Sequence, residues 1–191
     1  MKTLLFAALA AVLGMATPRP GSVPAAVPPV AGVPAAATPR EALIKTAIGQ
    51  VGTQERTGHN DGPVDKYLQS VGLGGTRNPY CAAFVYWTGL AALGPRNPFP
   101  RSAWSPDFVG SGATSQITTA RPGDTFGIYF ASKGRVAHTG LVRGWQGRYL
   151  WTVEANTSPA AATGAADRDG DGVWSKLRDP RTVSKIKSWL P

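Results

Sequence analysis

The stretch from Tyr80 to Leu93 places the tightest constraint on what this chain can become. Tyr80-Cys81-Ala82-Ala83-Phe84-Val85-Tyr86-Trp87 leads on to Leu90 and Leu93 and is apolar nearly all round. A helix of that kind has no face to give to water, so it is buried in the middle of a domain with other elements around it. Asn78-Pro79 just ahead supplies a good N-cap residue and a proline suited to the first turn, which predicts a helix starting there and closing at Gly94.

Two shorter helices are predicted before it. Thr38-Pro39-Arg40-Glu41 has the form of a capping box with proline at the first helical position, and Leu43, Ile44, Ala47, Ile48 and Val51 follow at helical spacing up to Gly52. A polar loop then leads to a second helix from about Pro63 to Val71, with Val64, Tyr67, Leu68 and Val71 on one face and Gly72 at its end. Beyond Gly94 a proline-rich loop runs to about Arg101, with a short helical turn near Trp104 to Val109. The pattern then changes to strands. Arg121-Pro122-Gly123-Asp124 reads as a turn, and Thr125 to Phe130 as a strand. After a second turn at Ser132 to Arg135, His138 to Arg143 and Tyr149 to Glu154 form a hairpin through Gly144 to Arg148; Val173 to Arg178 and Val183 to Leu190 are further strands. Helices first and antiparallel strands afterwards define an α+β domain, with N-terminal helices packed on a C-terminal antiparallel β-sheet over 38–191.

The segment ahead of this domain has a different character. Lys2, the unbroken apolar run Leu4 to Leu13 and the small residues Gly14 and Ala16 have the form of a secretory signal peptide, 1–16, which is too short to span a membrane as a mature helix. Residues 17–37 are mostly proline and alanine, cannot bury a core, and are expected to be a linker. The expected location is therefore secreted or periplasmic, as a monomer with no stable membrane anchor. The chain carries 20 basic and 11 acidic side chains, net +9. Its Lys and Arg residues are scattered, with no dense basic run and no reading motif, which argues against nucleic acid and leaves a diffuse positive surface, with an anionic membrane or acidic wall polymers as the partners it would attract.

Export gives the single cysteine its meaning. With one Cys in 191 residues no intramolecular disulfide forms, and a lone thiol in an oxidising compartment is a buried small hydrophobe, an intermolecular bridge or a reactive group. Cys81 falls in the first turn of the predicted central helix, where free N–H groups and the helix dipole favour a thiolate. A cysteine nucleophile needs a base, and the chain offers His59 and His138. His138 opens a strand, which fixes its imidazole, whereas His59 sits in a polar loop. A third group orients the base. Glu154 and Asn156 lie two apart on the hairpin partner of the His138 strand, so both point to one side of it and either one reaches the imidazole.

On these residues the sequence resembles the cysteine- and histidine-dependent amidohydrolase/peptidase (CHAP) family of the papain-like superfamily. The resemblance is carried by Asn78-Pro79-Tyr80-Cys81-Ala82-Ala83-Phe84-Val85, Arg121-Pro122-Gly123-Asp124, Ala137-His138-Thr139-Gly140-Leu141-Val142 and Val153-Glu154-Ala155-Asn156-Thr157. Weaker matches are Gly52 to Glu55 with Gly58 to Gly62, and Gly170 to Val173. The ordered set covers most of 38–178. It implies a papain-like fold, Cys81 as nucleophile, His138 as base, Glu154 or Asn156 as orienting residue, bacterial peptidoglycan as substrate and no cofactor. It implies acyl transfer at an amide, either an N-acetylmuramoyl-L-alanine amidase or a peptide endopeptidase. The Cys81 backbone N–H is the natural oxyanion donor; Asn60 and Asn78 are candidates for the second donor, and Tyr80 joins them as a candidate substrate contact.

Two other features admit different readings. Asp167-Arg168-Asp169-Gly170-Asp171-Gly172 matches the start of a calcium loop, but its twelfth position is Arg178, where a bidentate Glu belongs. A complete EF-hand is excluded; a solvated Gly-Asp turn is expected, a weaker calcium site is its alternative, and no metal site is assigned. Trp104, Trp145, Trp151, Trp174 and Trp189 could give a non-catalytic wall-binding module its sugar-stacking surface, although core packing also accounts for them. A secreted antibacterial effector using the same thiol chemistry is the remaining alternative.

Overall fold

The computed structural model describes residues 36–159 and 170–191. The expected signal peptide and the linker up to residue 35 lie outside the described residues, as do Asp167 to Asp169 of the calcium-like loop.

Helices α1 (Pro39–Ile48), α2 (Asp65–Ser70) and α3 (Cys81–Leu93) come first, followed by strands β1 (Thr125–Phe130), β2 (Arg135–Gln146), β3 (Tyr149–Thr157), β4 (Gly172–Arg178) and β5 (Lys185–Lys187). The strands form one antiparallel sheet in the order β4-β3-β2-β1-β5. The fold is α+β, as the sequence pattern predicts. Among the described residues no helix is long and apolar enough to cross a membrane.

Local chemistry accounts for the helix starts. Thr38 caps α1 by a capping box: its Oγ1 accepts from the Glu41 N–H at 3.2 Å, and its own N–H donates to Glu41 Oε2 at 2.8 Å. The helix ends at Ile48 rather than at Gly52, so Val51 falls in a turn and is exposed. The predicted second helix is a 3-10 turn, Gly62–Val64, running into α2, and it buries Val64, Tyr67 and Leu68. Helix α3 starts later than its sequence suggests. Its N-cap is Tyr80, not Asn78, and Cys81 is its first residue. The cap is tertiary: the Tyr80 N–H donates to the Asn156 side chain at 3.3 Å, while Asn78 turns its amide to Thr76. Cys81 to Val85 are buried without a break, whereas the C-terminal half exposes Leu90 on one face and buries Thr88, Gly89 and Leu93 on the other.

The sheet is buried on both faces. On β2, Leu141 joins the cluster shared with the helices, alongside Tyr67, Phe84, Val153 and Val173, while its neighbour Val142 joins a second cluster with Phe126, Leu150, Val183 and Ile186. Burial on both faces accounts for the consecutive buried positions of β2 and β3, which also run longer than the expected segments, His138 to Arg143 and Tyr149 to Glu154. Their connection tightens to a two-residue turn at Gly147-Arg148. The final segment yields only Lys185–Lys187 as strand, paired with β1. Arg40 of α1 ties the first helix to the far end of the chain: it pairs with buried Asp124 at 2.9 Å and donates to the carbonyls of Pro122, Leu190 and Pro191.

The long connection between α3 and β1 packs closely on the helix at Gly89. A Cβ there would lie 2.2 Å from Asn97 Oδ1 and 2.5 Å from Phe99 Cδ2. Gly89→Ala improves helix propensity yet is expected to lower stability by about 1–3 kcal/mol through overpacking. Denaturant unfolding checks it; a variant more stable than wild type would contradict this packing.

Candidate active site

The site lies where β2 and β3 part. Their paired positions run from Gln146 opposite Tyr149 to Leu141 opposite Val153; before Leu141, β2 is laddered to β1. The N-terminus of α3 enters this opening. Tyr80 reaches Asn156 on β3, and the Cys81 sulfur meets the Thr139 backbone N–H on β2. A β-bulge falls beside it: Ile128 faces His138 but Tyr129 faces Val136, so Ala137 is the extra residue just before the histidine. Bulges re-aim side chains, and this one sets the approach of His138.

Cys81, His138 and Glu154 come together in the interior, each no more than 3 % exposed. His138 Nε2 lies 2.8 Å from Glu154 Oε2. A carboxylate only accepts, so Nε2 carries the proton of that bond. The other ring nitrogen, Nδ1, is buried and lacks a partner at hydrogen-bonding geometry, and the thiol of Cys81 is close enough to couple with the ring. The Cys81 sulfur also lies 3.4 Å from the hydroxyl of buried Ser105.

Glu154 is held from several sides. Arg178 on β4 donates from Nε to Oε1 at 2.8 Å and from Nη2 to Oε2 at 2.5 Å, and Thr152 donates to Oε1 at 2.5 Å. Its path to His138 runs across Gly140. A Cβ at 140 would sit 3.0 Å from Glu154 Cγ and 2.9 Å from both the Val153 carbonyl and the Phe126 ring. The missing side chain is the gap through which the carboxylate crosses to the neighbouring strand.

These contacts set the titration of the group. Burial opposes a thiolate at Cys81, but the adjacent imidazole of His138, with the Ser105 hydroxyl and Thr139 N–H, outweighs it and brings the thiol down to about 7. Burial likewise opposes the imidazolium, yet Cys81 and Glu154 raise His138 to about 9. Burial would raise Glu154, but Arg178 and His138 hold it well below the usual carboxylate range. Cys81 and His138 thus each favour the charged form of the other, a thiolate beside an imidazolium.

The other expected site residues are dispersed. Asn156 adopts a left-handed conformation, φ 59°, at a bulge of β3, and its side chain accepts from the start of α3; Glu154 is the one bonded to His138. Asn78 lines the cleft beside Cys81. Asn60 does not: it bonds Glu55 and the Arg77 carbonyl and lines a separate cavity with His59 and Asp171. Tyr80 is also misplaced as a substrate contact. Its ring is fully buried against Tyr67, and its hydroxyl donates to Glu55 at 3.0 Å. The sequence signals missed Ser105, Gly140 and Arg178. Ser105 sits in a 3-10 turn, Ser105–Val109, with no motif around it. Cys81 and Ser105 open to a cleft of about 390 Å³ that Trp104, Arg135 and Ala137 also line.

Fold and site together define a buried thiol, imidazole and carboxylate relay on an α+β frame. No family model matches the chain, and no curated protein matches its sequence. Among solved structures the chain is similar to the NlpC/p60 domain of the peptidoglycan hydrolase SagA, at 16% identity and a TM-score of 0.45, over 78% of this chain and 97% of that one. A likeness at that level carries no argument about what this chain does.

Alkylation of Cys81 by iodoacetamide is expected to accelerate with an apparent pKa near 7. In His138→Gln the midpoint should move up, because burial remains while the stabilising imidazolium is gone; stopped-flow rates across pH check both, and an unmoved midpoint would remove His138 from the account. Arg178→Met leaves Glu154 buried without its cation. It is expected to cost about 3–5 kcal/mol in thermal unfolding, with Arg178→Lys losing less.

Proposed function

We propose that the chain is an exported cysteine hydrolase of the bacterial cell wall, of the CHAP type, that cuts an amide bond of peptidoglycan through an acyl-enzyme. The observation that carries the chemistry is a buried thiol beside an imidazole whose far nitrogen a buried carboxylate holds at 2.8 Å. The wall substrate is supported by the ordered resemblance of residues 38–178, and export by Lys2 with the apolar run Leu4 to Leu13.

In this mechanism the Cys81 thiolate attacks the amide carbonyl. The developing oxyanion is met by the Cys81 backbone N–H, which at the first helical position has no acceptor within the helix. Asn78, in the same cleft, is the candidate second donor. His138, protonated at Nδ1, delivers that proton to the leaving amine. It then takes one from the water that releases the acyl group, and Cys81 returns as thiolate. Glu154 keeps the imidazole oriented and stabilises its charge throughout, and Asn156 positions the nucleophile by seating the start of α3.

A wall-binding module without catalysis is the weaker reading. Trp189 bonds the Phe108 carbonyl, Trp151 lies under Arg143 and Trp174 bonds Asp171, whereas Trp104 and Trp145 are exposed. Such a module also has no use for a buried, oriented thiol and imidazole.

Wild-type protein is expected to release soluble fragments from purified peptidoglycan, and Cys81→Ala to release none while keeping its melting temperature. Mass spectrometry of the new ends assigns the bond: a freed stem alanine amine means amidase, an end within the peptide means endopeptidase. Digestion by Cys81→Ala at the wild-type rate would end the proposal.

A further inference from the structure

The cleft that reaches Cys81 has one charged wall. The Arg135 guanidinium lies 3.7 Å over the Trp104 ring, and both residues line the cleft with Cys81 and Ser105. Stacking uses the flat face of a guanidinium and leaves its edge N–H groups for in-plane bonds. One of these donates to the Val136 carbonyl at 2.9 Å. Among the described residues no carboxylate pairs with Arg135, although Arg178 has Glu154 and Arg40 has Asp124. Among the described residues none that lines the cleft is acidic, and Asp107, close by in sequence, accepts from Ser102 at 2.5 Å. A half-buried cation fixed in orientation, unpaired and beside a nucleophile, is placed to meet an anion of defined shape.

We infer that Arg135, held in plane by Trp104, binds a carboxylate of the substrate peptide next to the amide that Cys81 attacks. The inference rests on the hydrolase reading and narrows it to peptides bearing a free carboxylate beside the scissile bond. The planar fork of Arg135 takes the two carboxylate oxygens, and the exposed Trp104 ring takes the adjoining chain.

Two measurements test it independently. In 15N-labelled Cys81→Ala protein, the Arg135 Nε–H and Trp104 Nε1–H resonances are expected to shift with acetyl-alanyl-glutamyl amide and not with the isosteric acetyl-alanyl-glutaminyl amide. In turnover, sacculi whose carboxylates have been converted to carboxamides should be cut about 10-fold to 100-fold more slowly, the range of one charge-assisted contact. Arg135→Gln should cut native sacculi as slowly as wild type cuts the amidated ones and should no longer distinguish the two, with Arg135→Lys in between. Equal shifts with both peptides, or an Arg135→Gln variant that still discriminates as wild type does, would overturn the inference while leaving the hydrolase intact. Selective shifts in a wild-type protein that releases nothing from any sacculus would do the reverse: the anion site stands, and the hydrolase reading falls.

Discussion

Glu154 is an ionised carboxylate with no exposure to water, and the site is arranged around keeping it there. Such a charge costs several kcal/mol in an interior unless it is paired and its lone pairs are filled. Here His138 comes from β2, Thr152 from the same strand as Glu154, and Arg178 from β4. The bonds that make the charge tolerable therefore stitch three strands together at the level of the nucleophile. They also fix the tautomer of His138, because an acceptor-only carboxylate on Nε2 turns Nδ1 towards the thiol.

The same arrangement explains how a thiol with 3 % exposure can ionise. Thiolate, imidazolium, carboxylate and guanidinium alternate in sign along one chain of contacts, two negative and two positive, so the buried group is neutral as a whole. Removing Glu154 or Arg178 leaves an uncompensated charge in the interior, whereas His138 answers the loss of the thiolate by giving up its proton, so stability and chemistry are tied at the carboxylate. It follows that the net charge of +9 is not spent inside the site. The surplus cations are free to attract anionic polymers from a distance, and Arg135 is the one that lines the cleft.

The architecture was legible because burial leaves a period in the sequence. The change from helical spacing to strands at Arg121 reported an α+β fold, and the apolar run at Cys81 reported a central helix. What escaped was whatever depends on contacts far apart in sequence. By residue type Asn78 is a better cap than Tyr80, but the actual cap is a side chain 76 residues away, which no local rule detects. Tyr80 was a candidate substrate contact through its adjacency to Cys81, yet as the N-cap of α3 its ring packs into the core against Tyr67. Alternation along β3 put Glu154 and Asn156 on one side and could not rank them. The choice follows from the gap at Gly140 and the cation on β4. Arg178 stood out in the sequence only as a misfit in a calcium loop; in the fold it is the partner that Glu154 requires.

An irregular segment shapes the cleft without making it loose. Trp104 and Ser105 lie on the connection between α3 and β1, which carries only short 3-10 turns, and segments of that kind are ordinarily among the more mobile parts of a domain. This one is pinned along its length. Asn97 donates to the Tyr86 carbonyl, Phe99 meets Phe108 at a tilt and Trp189 edge-on, and the Phe108 carbonyl accepts from both Thr125 and Trp189. Gly89 lets the whole assembly sit close on α3. The hydroxyl of Ser105 is thereby buried against the sulfur, at 3.4 Å. Groups that stabilise a developing charge are effective when they do not have to move to do so. The packing of this connection, far from the reacting atoms, is then part of what makes Cys81 a nucleophile.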